Sequence, residues 1–516
     1  MLHSWHFAPP NAPTTLVILT TVAALSSAPT LPDRALSWDD LKTRVLSTPT
    51  GVRLLEEAEL RSRGLGPPHV NAKLRLFEPG ASEEDVRVVL YRDDSAWCPY
   101  CQRVWIALEE KHISYICKTV PLNAYGDKPA WFTRLIDGGK LPAIEMDGTI
   151  VTESMDIMRL LDETFVDDGD ALFPDRANSK KAECIESLFK LEQRLQSDWF
   201  SLVFYPVEGA ALAKARGDLL STLGQVDAAL GSTPGPWFFD GPMPSVVDIL
   251  FISTMERVVA SCLYWKGVTI RDTGEFPYLD AWFMAFGERP SYRATRADIY
   301  SIIKAIPSQN GPGYLIDKAK AIASRICGLD GAWNVPLDYK KSLVEADMKD
   351  EETDRHEAAF ALVNGHDDIT AFAARGAGEA GRPSFHAELA DPYAEPNEEF
   401  MPPVDICLRH VAAALLNGDA CDASSGSIAA EDLAGGAGDG TLREYWGEYT
   451  DNDGKIYWWN DITGEAVYTP PTKQLDTCLA YLRDRIGVPR DMSPGAAAQL
   501  RAHLNWVIDL LNRDAV

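Results

Sequence analysis

A Cys-x-x-Cys motif stands between a predicted strand and a predicted helix. The apolar run that starts at Val88 indicates the strand, and the pattern after Cys101 indicates the helix. Cys98 therefore lies where the helix begins, and Cys101 lies one helical turn further on. Unpaired backbone N–H groups and the positive end of the helix dipole stabilise a thiolate there, and the thiolate is the reactive form of cysteine. We predict that Cys98 is a nucleophile and that Cys101 lies within reach for a disulfide.

A Cys-x-x-Cys motif is also half of many zinc sites, so zinc binding is the main alternative. The chain has no second such motif, and the Cys407/His410 pair lies far along the chain in an amphipathic run. Two ligands alone make a poor metal site. The nine cysteines are odd in number and otherwise scattered, which does not fit a disulfide framework. We therefore predict redox chemistry in a reduced compartment, without a metal.

The residues after the motif predict a small α/β unit. Residues 113–120 indicate a strand, residues 129–136 a short helix, and residues 140–151 a hairpin across an Asp-Gly turn. A further helix is expected over residues 155–165. Together with the first strand and helix, the order is βαβαββα, which fits a thioredoxin-like fold.

Four short motifs follow one another along this unit. They are Cys98-Pro99-Tyr100, Lys128-Pro129-Ala130-Trp131-Phe132, Leu141-Pro142 and Glu153-Ser154. Residues 86–165 thereby resemble the N-terminal domain of a cysteine-type glutathione transferase of the omega, lambda or dehydroascorbate-reductase classes. One such motif would be a weak signal, but several in the same order are a specific one. The resemblance implies glutathione as co-substrate and a small oxidised or electrophilic molecule as substrate.

The resemblance also implies a role for each motif. Lys128 would meet the glycyl carboxylate of glutathione, and Leu141, which precedes a cis-proline, would pair through its backbone with the cysteinyl part. Glu153-Ser154 would hold the γ-glutamyl end at a helix N-terminus. Taken singly, each has a structural alternative: a surface charge, a strand-edge proline or a helix cap. The predicted glutathione-binding residues are Pro99, Tyr100, Lys128, Leu141, Pro142, Glu153 and Ser154.

The second cysteine of the motif departs from many of these relatives, which carry a single one. Cys101 gives the Cys-Pro-Tyr-Cys motif that is typical of dithiol glutaredoxins, and a resolving cysteine permits an intramolecular disulfide after Cys98 attacks. We therefore predict a thiol transferase or reductase that acts on glutathione mixed disulfides or small oxidised substrates. A non-enzymatic scaffold with the same fold, and an Fe–S cluster held by Cys98 and glutathione, are the alternatives.

Helical patterns fill residues 175–312. Ser245 and Asp248 have the S-x-x-D spacing of a capping box before an apolar run, and this region resembles the all-α C-terminal domain of the same family. That resemblance implies a homodimer as one expected assembly. The net charge of −27 argues against nucleic-acid binding, and no run past the N-terminus is apolar enough to span a bilayer.

A Gly-rich stretch precedes three predicted short strands near the C-terminus, which an Asp-Gly and a Thr-Gly turn separate. Residues 441–472 resemble a WW domain. The resemblance implies that Tyr457, Trp459 and Tyr468 bind a proline-rich peptide in the polyproline II conformation. A purely structural sheet is the alternative.

The chain is long enough for several domains. The apolar run at residues 14–25 precedes small residues, so we predict a targeting segment and a plastid location, with the cytoplasm as the alternative. The fold class is multidomain: a thioredoxin-like α/β domain, an all-α domain, extra helical regions and a small β domain. The predicted units are a targeting segment (1–33), a helical leader (34–85), the α/β domain (86–166), the all-α domain (175–312), a helical extension (313–420), a low-complexity linker (421–440), the WW-like domain (441–472) and C-terminal helices (473–516).

Overall fold

The computed structural model describes most of the chain after its first 29 residues. Within the described parts, no helix combines the length and the apolar character that crossing a membrane needs. The predicted targeting segment lies almost entirely outside the described residues. The described residues are 30–166, 171–174, 179–341, 343, 350–379, 381, 388–418, 432–433, 446–450, 456–460, 466–467 and 475–512.

Two helices, α1 (Trp38–Leu46) and α2 (Pro49–Ser62), open the described chain. The side chains of Ser37 and Thr48 cap them by accepting a hydrogen bond from a backbone N–H in the first turn. The rest of the predicted helical leader is not helical throughout, because Leu74–Arg75 form a strand, β1, at the edge of the main sheet. A two-residue strand is too short to show an alternating pattern, which explains why it was not predicted.

The α/β unit follows the predicted order, with β1 added at one edge. The sheet has the strand order β1-β3-β2-β4-β5, in which β2 runs parallel to β3 and antiparallel to β4. The Cys-x-x-Cys motif lies between a strand and a helix, as predicted, and the structure shows that this strand is the central one of the sheet. The elements are β2 (Val88–Asp93), α3 (Pro99–Glu110), β3 (Tyr115–Val120), α4 (Ala130–Leu135), β4 (Ala143–Met146), β5 (Thr149–Thr152) and α5 (Ser154–Thr164).

An all-α unit packs against α3 of the α/β unit, and its central helix, α8, is buried along nearly its whole length. Buried polar side chains of α3 face α8: Arg103 Nε donates to Ser253 Oγ at 2.7 Å, and Gln102 Nε2 donates to Glu256 at 2.9 Å. The predicted capping box at Ser245 is present. The helices are α6 (Ser179–Val203), α7 (Gly209–Leu230), α8 (Val246–Lys266), α9 (Pro277–Gly287), α10 (Pro290–Thr295), α11 (Ile299–Asn310) and α12 (Lys320–Ile326).

A second helical module lies beyond α12 and has its own hydrophobic core. Leu41 and Val45 of α1 belong to that core together with Leu408 and Leu479, so both ends of the described chain contribute to it. Trp38 Nε1 also donates to the Asp405 carboxylate at 2.6 Å. We call this set of helices the appended module. It consists of α1, α2, α13 (Glu351–Asn364), α14 (His366–Ala374), α15 (Met401–Asn417), α16 (Leu475–Arg483) and α17 (Pro494–Leu511).

Three short strands form a separate antiparallel sheet in the order β6-β7-β8. They are β6 (Trp446–Thr450), β7 (Ile456–Asn460) and β8 (Ala466–Val467), and Trp446 pairs with Asn460 across the first two strands. The predicted strands are therefore present. Membership of the WW family stays a prediction.

Candidate functional site

Cys98 lies at the N-terminus of α3, and its Sγ accepts the backbone N–H of Cys101 at 3.4 Å. Pro99 is the first residue of the helix, where a missing N–H is tolerated because that group has no intrahelical partner. Both cysteines are free thiols, and they are buried, with 6% of Cys98 and 1% of Cys101 exposed. The geometry thus places two buried thiols one helical turn apart at the start of α3.

A buried carboxyl group, which the sequence reasoning missed, lies beneath the two thiols. One oxygen of Asp93 accepts the backbone N–H groups of Trp97 at 2.6 Å and Cys98 at 3.3 Å. Its other oxygen is buried without a hydrogen-bond partner. One donor atom each from Asp93, Cys98 and Cys101 lies within 4.8 Å of the others, a spacing at which a metal ion could also be held. Asp93 is the last residue of β2, five residues before Cys98. Its closeness to Cys98 along the chain is the sequence signal that could have identified it.

Burial governs the protonation of this cluster. It raises the pKa of Asp93, against the attraction of Arg92, and it raises the pKa of Cys101 well above the ordinary value of a thiol. Hydrogen bonding and electrostatic interaction with Cys98 raise the pKa of Cys101 further. At neutral pH, Cys101 is therefore held as the protonated thiol.

Three cationic side chains lie near the two thiols. Burial lowers the pKa of Arg103, Arg257 and Lys128. Electrostatic interaction opposes that effect, chiefly with Glu192 at Arg103, with Glu256 at Arg257, and with the thiols of Cys101 and Cys98 at Lys128. Arg257 also donates to the Trp97 carbonyl at 2.8 Å. Cations and a helix N-terminus together form the electropositive surrounding in which reactive cysteines are found.

A cleft of about 580 Å³ opens beside the motif. Six of the seven predicted glutathione-binding residues line it, and the exception is Pro99, the first residue of α3. Two residues of the all-α unit, Ser308 and Gln309, complete the opposite wall. The predicted residues that line the cleft are Tyr100, Lys128, Leu141, Pro142, Glu153 and Ser154.

Local backbone geometry supports the same site. The Leu141–Pro142 peptide bond is cis, as the resemblance implies. Glu153 precedes α5 with φ 66° and ψ 114°, a left-handed conformation that is unfavourable for a residue other than glycine. Such strain is concentrated at functional sites, and here it places Glu153 and Ser154 at the cleft-facing N-terminus of α5.

Two of the three residues predicted to bind a proline-rich peptide lie in the small sheet. Tyr457 and Trp459 lie in β7, and the Tyr457 side chain is partly buried. Tyr468 lies outside the described residues. The structure therefore describes two of these three positions.

Comparison with known proteins assigns relatives to both units. Residues 97–164 match the family model "Glutathione S-transferase, N-terminal domain", and residues 209–284 match "Glutathione S-transferase, C-terminal domain". Glutathione S-transferase L3 of Arabidopsis thaliana is 32% identical over 210 residues, which are 40% of this chain and 82% of that relative. Chloroplastic glutathione S-transferase DHAR3 of the same plant is 25% identical, over 40% of this chain and 71% of its own length. The solved structure of glutathione transferase Omega 3C from Trametes versicolor is 21% identical, has a TM-score of 0.36, and covers 46% of this chain and 94% of that structure.

Proposed function

Because this chain belongs to the glutathione S-transferase family, we propose that it is a glutathione-dependent thiol transferase or reductase that uses Cys98 as its nucleophile. One observation carries the proposal: a cysteine at a helix N-terminus lies beside a cleft that six of the seven predicted glutathione-binding residues line. The substrates are glutathione mixed disulfides or small oxidised molecules.

Glutathione has a carboxylate at each end and an amine at one end, and the cleft offers a partner for each. Lys128 pairs with the glycyl carboxylate, and the N-terminus of α5 binds the γ-glutamyl carboxylate. Glu153, whose side chain is largely exposed beside that helix end, pairs with the amine. The backbone at Leu141 bonds to the central cysteinyl residue, which directs the thiol of glutathione toward Cys98.

The reaction is thiol–disulfide exchange. The Cys98 thiolate attacks the glutathionyl sulfur of a mixed disulfide, so the Cys98–glutathione disulfide forms and the other sulfur leaves as a thiol. Two routes then regenerate Cys98. A second glutathione thiolate displaces oxidised glutathione directly, or Cys101 forms a disulfide with Cys98 and releases glutathione, after which glutathione reduces that disulfide. On the second route Asp93, the buried carboxylate beside both thiols, accepts the proton that Cys101 must lose.

Replacement of Lys128 tests whether glutathione binds in the cleft in the proposed orientation. The full chain is expected to reduce hydroxyethyl disulfide with glutathione, and Lys128→Met is expected to raise the KM for glutathione about tenfold, the equivalent of about 1.4 kcal/mol. The kcat should change less, because Lys128 binds the end of glutathione remote from sulfur. Lys118→Met, which removes an exposed lysine on β3, is the matched control. A wild-type protein without glutathione-dependent reduction would contradict the proposed function.

The relatives support two further proposals, a plastid location and a homodimer. The glutathione S-transferases DHAR3 and L2 of Arabidopsis thaliana are named as chloroplastic, and this supports a plastid location for the present chain. A fluorescent fusion to the N-terminal segment tests that location, and exclusion from plastids would contradict it. We also propose that the protein forms the homodimer of this family. Light scattering measures the mass in solution, and the mass of a monomer would contradict this proposal.

The small sheet is proposed as a binding site for a proline-rich peptide. Its support is the three-stranded antiparallel order and the position of Tyr457 and Trp459 on the central strand. Titration with a polyproline peptide, read out by tryptophan fluorescence, tests it. No saturable change would leave the sheet with a structural role.

A further inference from the structure

One segment of the appended module lies directly against the residue that precedes the nucleophile. We call residues 487–490, between α16 and α17, the clamp segment. Trp97 Nε1 donates to the Val488 carbonyl at 2.9 Å, and the Arg490 guanidinium lies 5.0 Å from the centre of the Trp97 ring. A Cβ atom on Gly487 would lie 2.4 Å from the indole. The clamp segment therefore leaves no room for a side chain at Gly487.

Trp97 is also held on its other sides. Its N–H donates to Asp93 at 2.6 Å, and its carbonyl accepts from Arg257 at 2.8 Å and from Gln309 at 3.3 Å. The ring of Tyr125 packs against the indole with centroids 5.2 Å apart. Every polar group of this tryptophan is thus bonded, and only 2% of the residue is exposed.

The same contacts connect Trp97 to the cleft. Gln309, which donates to the Trp97 carbonyl, lines the cleft wall, and so does Ser308, whose hydroxyl donates to Tyr125 at 3.3 Å. Trp97 and Tyr125 therefore lie behind that wall, and the clamp segment covers the far side of Trp97. A displacement of the clamp segment would reach both the cleft wall and the start of α3.

The clamp segment is itself fixed to the all-α unit. Val488 N–H donates to Ser301 Oγ of α11 at 2.8 Å. Arg501 of α17 pairs with Asp298 at 2.7 Å and donates to the carbonyl of Ile486, next to the clamp segment, at 2.7 Å. The Arg501–Asp298 pair is nearly buried. Because α11 also carries the two cleft-lining residues, the appended module and the active site share one rigid connection.

We propose that the appended module is part of the active site, and that the clamp segment acts through Trp97 as a positioning element for Cys98. The kinetic test of this inference rests on the proposed function, because it measures the proposed activity. The clamp segment lies outside the residues that match the two family models, so this device belongs to the extension of this chain. A misplacement of about 1 Å at a reacting group costs about a hundredfold in rate.

Gly487→Ala is the direct test, because its added methyl group collides with the indole. In the full chain, kcat for hydroxyethyl disulfide reduction is expected to fall about 10- to 100-fold, with KM for glutathione changed about twofold or less. Gly235→Ala is the matched control, since a Cβ there meets no atom within 4 Å. A folded Gly487→Ala protein with wild-type kcat would overturn the proposal.

Two further measurements keep the test decisive. Trp97→Phe keeps an aromatic ring but removes the N–H that bonds Val488 together with part of the indole that the clamp segment packs against, so it serves where Gly487→Ala does not fold; its kcat is expected to fall about tenfold. Alkylation of Cys98 by iodoacetamide needs no glutathione, and it is expected to be about fivefold faster in Gly487→Ala because the buried thiol becomes more accessible. Unchanged alkylation would overturn the proposal even where the proposed function itself had failed.

Discussion

Replacement of Cys98 by serine is expected to lower the rate of glutathione-dependent hydroxyethyl disulfide reduction by about a thousandfold or more, because a nucleophile is removed. A serine hydroxyl is a far weaker nucleophile than a cysteine thiolate, so it does not attack the disulfide sulfur at a useful rate. The measurement is the steady-state rate, coupled to reduction of the oxidised glutathione that forms. Cys117→Ser, which changes a buried thiol on β3, is the matched control and should keep its activity.

Cys101→Ser separates the two routes that regenerate Cys98. We expect it to keep at least about a tenth of the wild-type rate, because glutathione can resolve the Cys98 adduct directly. A loss equal to that of Cys98→Ser would make Cys101 an obligatory resolving residue. Full activity in Cys98→Ser would contradict the assignment of the nucleophile.

The second large effect concerns stability. Asp248→Ala is expected to destabilise the region around α8 by about 3–5 kcal/mol, because it leaves several buried donors unpaired at once. Asp248 is fully buried and accepts from Phe238 N–H at 3.1 Å, from Trp282 Nε1 at 2.9 Å, and from the N–H and hydroxyl of Ser245 at 2.8 and 2.7 Å. The capping carboxylate thus joins three separate segments of the all-α unit.

Hydrogen exchange followed by mass spectrometry suits this prediction, because it reports local opening free energies in a chain with several units. Amides of α8 should exchange faster in Asp248→Ala. Asp350→Ala is the matched control: Asp350 caps α13 through Thr353 but is solvent-exposed, so its loss should cost about 1 kcal/mol. Equal effects for the two variants would show that burial at Asp248 adds nothing.

The sequence predicted best those elements that depend on residues close together along the chain. The strand, turn and helix around Cys98, the hairpin across Asp147-Gly148 and the capping box at Ser245 are all present, because each depends on a local pattern of apolar and turn residues. The convergence of Lys128 and Glu153 on one cleft came from the family resemblance, since spacing along the chain does not show it.

Long-range packing was not predictable in this way. The helical regions 34–85, 313–420 and 473–516 were treated as separate units, yet α1 packs with α15 and α17 in one core. Any amphipathic helix can bury its apolar face against another, so the pattern does not identify the partner. The contact between Trp97 and Val488 joins residues 391 positions apart and leaves no local signal.

Asp93 was missed for a different reason. A carboxylate at the end of a strand usually faces solvent or caps a turn. The sequence does not show that Asp93 is buried or that it accepts hydrogen bonds from two backbone N–H groups. Its role emerges only when the strand end, the turn and the first turn of α3 are placed together.

The most direct test of the central claim is the covalent intermediate. The full-length Cys101→Ser protein is treated with oxidised glutathione, and peptide mass spectrometry locates the adduct. We predict one glutathionyl group on Cys98, formed faster than any on the exposed Cys184, because Cys98 lies at a helix N-terminus beside the cleft in which we propose that glutathione binds. An adduct on Cys184 with Cys98 left unmodified would contradict the account.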